Sequence, residues 1–131
     1  MNGESNALRN YEPSYSPRVR VEVYFPIRNE DVYNYYLAWL VDELTRVHGG
    51  CTVLENMSGY FDSPTNGRLE DTVNVVYSDF DWDWADPGER AEVLDYCATL
   101  RQFLLEKLWE EEILISAYPV FHVNQVTSLT T

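Results

Sequence analysis

The stretch Arg18-Val-Arg-Val-Glu-Val-Tyr-Phe-Pro-Ile27 decides the fold of this chain. Its apolar residues alternate with charged and polar ones, at Val19, Val21, Val23 and Phe25. A period of two residues is typical of a β-strand with one buried face. The stretch therefore predicts a strand over residues 18–27, whose other side chains point away from the core: Arg18, Arg20, Glu22 and Tyr24.

Two helical patterns follow this strand. The first begins after Asn29, a residue type that caps helix N-termini, and ends at Gly49, which suits a left-handed C-cap. Between them the apolar residues recur at helical spacing: Tyr33, Tyr36, Leu37, Leu40, Val41, Leu44 and Val47. Tyr35 and Trp39 fall outside this apolar side, which predicts their contact with a loop or a second subunit.

The second helix is predicted over residues 87–112. Asp86 is the expected N-cap, Pro87 stands in the first turn, and Glu89 completes the spacing of a capping box. Its apolar side is formed by Val93, Cys97, Leu100, Leu104 and Leu108. The regular spacing of these residues predicts that the helix packs on the same core as the first strand.

Three further segments have the composition of strands. Residues 51–60 and 71–77 flank a turn-rich segment and predict an antiparallel hairpin, and residues 113–123 predict a last, strongly apolar strand. The chain then follows the order strand, helix, strand, strand, helix, strand. This order predicts an α+β fold, a ferredoxin-like βαββαβ sandwich in which a four-stranded antiparallel sheet carries two helices on one face.

The length and the cysteine pattern set the expected organisation. The 131 residues predict a single domain over residues 18–123, a disordered N-terminal arm over residues 1–17 and a polar C-terminal tail over residues 124–131. The arm lacks the apolar segment of a signal peptide, and no window resembles a membrane span. Cys51 and Cys97 form no CxxC pair, so we expect two buried, reduced thiols in a cytoplasmic protein.

The charge of the chain excludes broad classes of partner. It contains 22 acidic and nine basic residues, and its formal net charge is −13. Binding to nucleic acid or to an anionic membrane needs clustered Arg and Lys, so neither is an expected partner. No Gly-x-Gly-x-x-Gly motif, P-loop or zinc-ligand spacing occurs, and we therefore expect no cofactor.

Polar residues of different chemistry are expected to meet on the sheet face that the helices leave uncovered. The candidate ligand-binding or interface residues are Arg20, Glu22, Tyr24, Tyr118 and His122, together with Tyr60 on the hairpin. A cation, a carboxylate, an imidazole and phenols suit a small polar ligand, and His122 near Glu22 is the candidate catalytic base. The same residues also suit a polar interface between two subunits, which is the simpler interpretation.

Two other clusters contain residue types that occur in metal or catalytic sites. Asp79, Asp81 and Asp83 resemble the start of a calcium loop, but an EF-hand would need Gly and Glu where this chain has Trp84 and Arg90. These aspartates are weak metal candidates, and a solvated loop that caps the second helix is the simpler interpretation. His48 and Cys51 flank a Gly-Gly pair as a base and a nucleophile would, but no third group is evident that would orient the base.

The segments His48-Gly-Gly-Cys-Thr-Val53, Gly59-Tyr60 and Val73-Asn-Val-Val-Tyr77 carry a family resemblance. They resemble small uncharacterised bacterial proteins that have a ferredoxin-like domain and a Gly-Gly-x-Thr entry to the hairpin. The resemblance spans residues 18–123. It implies a dimeric ferredoxin-like module and assigns no activity or catalytic residue.

The sequence leaves three functions open. The first is a binding or interaction module that forms a homo-oligomer through its open sheet face and binds a small polar ligand there. The second is a small enzyme in which His122 acts as base and Tyr24 or Tyr60 orients the substrate. The third is an acidic inhibitor or partner-binding protein that docks on a basic surface, whose complexes would weaken steeply with salt.

Overall fold

The computed structural model describes residues 11–12, 14–124 and 127–128. It confirms the α+β class, with two helices and a four-stranded antiparallel sheet. In chain order the elements are β1 (Tyr11–Glu12), β2 (Tyr15–Pro26), α1 (Asp31–His48), β3 (Thr52–Ser63), β4 (Gly67–Phe80), α2 (Pro87–Leu108), β5 (Ile115–Val123) and β6 (Thr127–Ser128).

The strands of the main sheet lie in the order β3-β4-β2-β5, and every neighbouring pair is antiparallel. The predicted first strand, β2, is thus central and pairs with β4 on one side and β5 on the other. A separate ladder joins β1 to β6. Because β2 has a partner on both sides, its register fixes which residues of β4 and β5 share each face.

One face of this sheet is covered by both helices. Val19, Val21 and Val23 of β2 have no exposed surface, as their alternation predicts. They share one core cluster with Val76, Phe80, Leu40, Leu44, Val93, Leu100, Leu104 and Leu108. Burial of each such side chain contributes about 1.5–3 kcal/mol relative to leaving it exposed, so this cluster is the main source of stability.

The helix ends are only partly as expected. Gly49 is the left-handed C-cap of α1, with φ of 86°, and Asp86 caps α2 by accepting hydrogen bonds from the N–H groups of Gly88 and Glu89. Glu30, however, replaces the predicted Asn29 as the N-cap of α1, and its side chain makes no capping hydrogen bond.

The capping box of α2 is also incomplete. The Glu89 carboxylate accepts from the N–H of Asp83, at 3.4 Å, whereas the Asp86 N–H donates to the Asp83 carbonyl. The turn before the helix has therefore taken the donor that a capping box would use. The helix itself ends at Leu108, before the predicted residue 112, because Trp109 adopts a left-handed conformation with φ of 56°.

The strands are longer than predicted. β2 begins at Tyr15, which lies opposite Val123 of β5, so residues 15–17 belong to the sheet and not to a disordered arm. The predicted disorder of residues 1–10 lies outside the described residues. Part of the predicted tail, Thr127–Ser128, pairs with Tyr11–Glu12. The hairpin strands extend to a short turn before Gly67, which has φ of 72°, because their backbones continue to pair beyond the core.

Two aromatic residues of α1 have different surroundings. Tyr35 is 67% exposed, but Trp39, predicted to face outward with it, packs on Phe103 of α2 with ring centroids 4.6 Å apart. Val47, predicted on the buried side, is 53% exposed because it lies in the last turn of the helix. Within the described ranges, neither helix combines the length and the apolar character that crossing a membrane requires.

Candidate functional site

The sheet face opposite the helices, called here the open face, holds most of the predicted site residues. On the β5 side of β2, Tyr118 lies opposite Arg20 and Ser116 lies opposite Glu22. On the β4 side, Asp79 lies opposite Arg20. Opposed residues of antiparallel strands point to the same side of a sheet. On β2, β4 and β5, the open face therefore carries the following residues: Arg18, Arg20, Glu22, Tyr24, Tyr77, Asp79, Ser116, Tyr118, Val120 and His122.

Arg20, Asp79 and His122 form the first polar group on this face. The Arg20 guanidinium donates twice to the Asp79 carboxylate, from Nε at 2.7 Å and from Nη2 at 3.0 Å. His122 Nε2 lies 2.5 Å from Asp79 Oδ2. The guanidinium also stacks over the Tyr77 ring, 4.4 Å from its centroid.

The Asp79 carboxylate is the centre of this group. Its side chain is only 14% exposed, and the Arg20 hydrogen bonds lower its pKa, with a smaller contribution from His122. An ionised carboxylate can only accept hydrogen bonds. His122 Nε2 must therefore carry a proton, and in the neutral imidazole Nδ1 is the acceptor.

Glu22 is the centre of a second polar group. Its carboxylate accepts from the Tyr24 hydroxyl at 3.1 Å, from Ser116 at 3.4 Å and from the Tyr118 hydroxyl. The hydrogen bond to Glu22 raises the pKa of Tyr118. The pKa of Tyr24 is raised mainly by burial and, to a smaller extent, by the Glu22 carboxylate. The predicted partner of His122 was Glu22, but Glu22 is held by these hydroxyls and Asp79 takes that position.

Tyr60 does not join either group. It lies on the β3–β4 hairpin opposite Glu70, its ring is 66% exposed, and its hydroxyl is 3.5 Å from the Glu70 carboxylate. The hairpin extends beyond the part of the sheet where β4 pairs with β2, so Tyr60 is carried away from the other candidates.

The three candidate metal-ligand aspartates have different partners. Asp79 is bound to Arg20, the Asp81 side chain is 91% exposed and lies 3.3 Å from Arg18, and Asp83 accepts from the N–H of Ala85. Across the described part of the chain, no three His, Cys, Asp or Glu side chains are grouped so that they could hold a metal ion.

His48 and Cys51 have separate environments as well. The His48 ring stacks on Phe80 with centroids 3.4 Å apart, and burial lowers its pKa. The half-buried Cys51 thiol, predicted to be fully buried, lies 3.8 Å from the Val41 carbonyl and 3.6 Å from the Thr45 hydroxyl. The thiol therefore contacts α1 and not the imidazole.

A cavity of about 350 Å³ lies beside the first polar group, where β3 begins. Its wall is formed by His48, Gly49, Gly50, Cys51, Thr52, Tyr77, Ser78, Asp79 and His122, and we call it the edge cavity. It brings the His122 and Asp79 pair next to the Gly49-Gly50 turn. The sequence patterns indicated these segments separately and gave no sign that they meet.

The other half of the open face is apolar. Leu54, Met57 and Phe61 of β3 are 43–51% exposed, and Val73 and Val75 of β4 lie opposite Met57 and Leu54. This surface continues onto the hairpin. The open face thus combines a polar half with an apolar half, in which the β3 side chains are exposed and Val75 is buried among its neighbours.

Comparison of the chain with protein-family models, with curated proteins and with solved structures found no match.

Proposed function

We propose that this chain is a ferredoxin-like binding module whose open face packs against a second copy of the same chain. The succession β-α-β-β-α-β of the long elements, and the sheet order β3-β4-β2-β5, support the ferredoxin-like assignment. The free thiols of Cys51 and Cys97 support a cytoplasmic location as part of the same proposal.

The observation that carries the proposal is the exposed apolar half of the open face. Leu54, Met57 and Phe61 lie on one side of β3 and remain 43–51% exposed in the single chain. Contiguous apolar surface of this kind is typical of protein contacts. Two sheets that pack face to face would bury these side chains between them.

The charges of the open face also favour a second copy. The chain carries a net charge of −13, but on the polar half Arg18 and Arg20 balance Glu22 and Asp79. Arg20 and Asp79 are already paired with each other, and the Glu22 carboxylate accepts hydrogen bonds from two phenols. Removing paired charges from water costs less than removing isolated ones, so this neutral surface is where two acidic copies can meet.

Both sheet edges are poor sites for adding a strand. Edge strand β5 has Pro119 at its centre, which offers no N–H, and edge strand β3 has an irregular register between Leu54 and Met57, where Asn56 has φ of 57°. Prolines and bulges on edge strands oppose pairing with another chain. The contact is therefore expected on the face and not along an edge.

Sedimentation equilibrium of the full chain and two charge-matched variants tests the proposal. Met57→Glu places a charge on the open face, whereas Leu94→Glu places the same charge on a similarly exposed position of α2. The wild type and Leu94→Glu are expected to be dimers, and Met57→Glu is expected to dissociate at least about tenfold more readily. A monomeric wild type, or equal weakening by both variants, would overturn the proposed contact.

The Asp79 and His122 contact favours a second candidate function, a small enzyme with an acid–base site. Asp79 holds the imidazole by Nε2, which leaves Nδ1 as the nitrogen that could act as a base, and this is the role of an orienting carboxylate in catalytic dyads. Long-range ¹H–¹⁵N NMR of His122 tests the arrangement. The Nε2–H tautomer is expected at neutral pH, and a Nδ1–H tautomer would exclude Nδ1 as the base.

A further inference from the structure

The edge cavity is an open depression whose volume is comparable to that of a ligand site. Its volume of about 350 Å³ is at the lower end of the roughly 300–1,000 Å³ that is typical of small-molecule pockets. Its wall joins the strand ends of β4 and β5 to the Gly49-Gly50 turn. The cavity therefore has the room for a molecule of about the size of a monosaccharide.

The charged group that faces this cavity is already neutralised. Both oxygens of Asp79 accept hydrogen bonds from Arg20, and one of them also contacts His122. A charged ligand would lose hydration on entering and would find no free counter-charge there. The wall thus disfavours anions and cations alike.

Uncharged polar groups on the wall, in contrast, are free to bind a ligand. His122 Nδ1 and the hydroxyls of Thr52 and Tyr77 have no hydrogen-bond partner among residues 14–124. Hydroxyl groups can both donate and accept, as these three groups require. A ligand that carries several hydroxyls can satisfy all of them at once.

We infer that the edge cavity binds a small uncharged polyol, of about the size of a monosaccharide, through His122, Thr52 and Tyr77. The inference rests on the proposed binding function and adds a ligand to it, with the subunit contact on the apolar half of the open face and the edge cavity left accessible at the start of β3. Tyr77, with Arg20 stacked on one side of its ring, supplies a rigid wall, and the Gly49-Gly50 turn leaves room opposite it.

NMR titration of the isotope-labelled full chain tests this inference with three sugars that differ in charge: glucose, glucosamine and glucose 6-phosphate. Glucose is expected to cause saturable shifts at Gly49, Gly50, Thr52 and the His122 ring, and the two charged sugars are expected to bind at least several-fold more weakly. The absence of saturable shifts with glucose would overturn the inference. Equal or tighter binding of either charged sugar would overturn it too.

A matched pair of substitutions locates the binding. Thr52→Val removes a hydroxyl of the cavity wall and keeps the shape of the side chain, and Thr72→Val makes the same change on β4 away from the cavity. Glucose is expected to bind several-fold more weakly to Thr52→Val and unchanged to Thr72→Val. Equal affinities of the two variants would place the sugar outside the edge cavity and contradict the assignment.

Sedimentation of the same samples separates the two proposals. A dimer that shows no glucose shifts would refute the polyol site and leave the subunit contact standing. A monomer that shows saturable shifts at the edge cavity would refute the subunit contact and leave the polyol site standing.

Discussion

One buried hydroxyl joins the start of α1 to the end of α2. Tyr33 donates to the Leu108 carbonyl at 2.9 Å, and its hydroxyl lies 3.0 Å from the Glu110 carboxylate. Burial is the main cause that raises the pKa of Tyr33 to about 12, and the Glu110 carboxylate is the second cause. This phenol therefore stays protonated, as a hydrogen-bond donor, at ordinary pH. The residue therefore acts as a link between the helices.

Removal of this hydroxyl is expected to destabilise the fold. Tyr33→Phe should lower the free energy of unfolding by about 0.5–1.5 kcal/mol, the usual contribution of one hydrogen bond. Urea unfolding measures the change. Tyr35→Phe, at an exposed ring two residues away, is the control and should change stability by less than about 0.5 kcal/mol. Equal effects of the two substitutions would show that the Tyr33 hydroxyl makes no special contribution.

His48 is expected to make stability depend on pH. Burial lowers its pKa from the ordinary value of 6.5, although Glu43 acts in the opposite direction. As pH falls below 6.5, the unfolded chain takes up a proton that the folded chain resists, so the free energy of unfolding decreases. The Asp79 pKa is lowered from 3.8, so its contribution is lost only at more acidic pH.

His48→Phe tests this dependence, because a phenyl ring can still stack on Phe80 but cannot titrate. The wild type should lose more stability than the variant between about pH 7 and pH 5. Urea unfolding at a series of pH values gives the two slopes. Parallel slopes would mean that another group causes the dependence.

The sequence predicted on which face of the sheet a residue lies better than it predicted which side chain the residue contacts. Alternation along β2 placed Arg20, Glu22 and Tyr24 on one side, and the structure brings Tyr118 and His122 to the same side. The partner of His122 was missed because Asp79 was interpreted as part of a loop. Its position depends on β4 pairing with β2, a contact between residues 59 apart in sequence that no local pattern contains.

At the scale of elements, the cap of α2 can be tested directly. Asp86 accepts from two N–H groups at the helix start, Gly88 at 2.9 Å and Glu89 at 3.1 Å. Asp86→Ala would leave these donors without a protein partner and should lower the free energy of unfolding by about 0.5–2 kcal/mol. Thermal or urea unfolding measures this loss.

Asp81→Ala is the control for this substitution. Asp81 lies in the same segment and carries the same charge, but its side chain is 91% exposed and caps no helix. Its removal should change stability by less than about 0.5 kcal/mol. A loss as large as that of Asp86→Ala would point to charge in this segment, and not capping, as the cause.

Some local signals marked element ends correctly, although Asn29 did not cap α1, and predictions were less accurate where tertiary packing decides. Asp86 and Gly49 marked helix ends correctly, since caps act within one turn. The hairpin and β2 were predicted too short, because their outer residues are held by a neighbouring strand and have no apolar alternation of their own. Trp39 was predicted to face outward but packs on Phe103 of α2. The apolar spacing within α1 does not show where α2 lies beside it.

At the scale of the whole molecule, the charge of −13 separates two of the functions that the sequence leaves open, self-association and docking to a basic partner. Two identical acidic copies repel each other at long range, and an acidic chain attracts a basic partner. Salt screens both effects, since the Debye length falls to about 10 Å at 0.1 M ionic strength. Salt therefore acts in opposite directions on self-association and on docking to a basic surface.

Self-association through the open face is expected to strengthen as salt is raised from about 20 to 200 mM, because salt screens the repulsion between two copies that each carry a charge of −13. The dimer dissociation constant should fall several-fold, as measured by sedimentation equilibrium. Met57→Glu and Leu94→Glu carry the same added charge, so their common response reports repulsion and their difference reports the surface. A dissociation constant that rises with salt would instead show that attraction between opposite charges holds the copies together, contrary to a neutral open face.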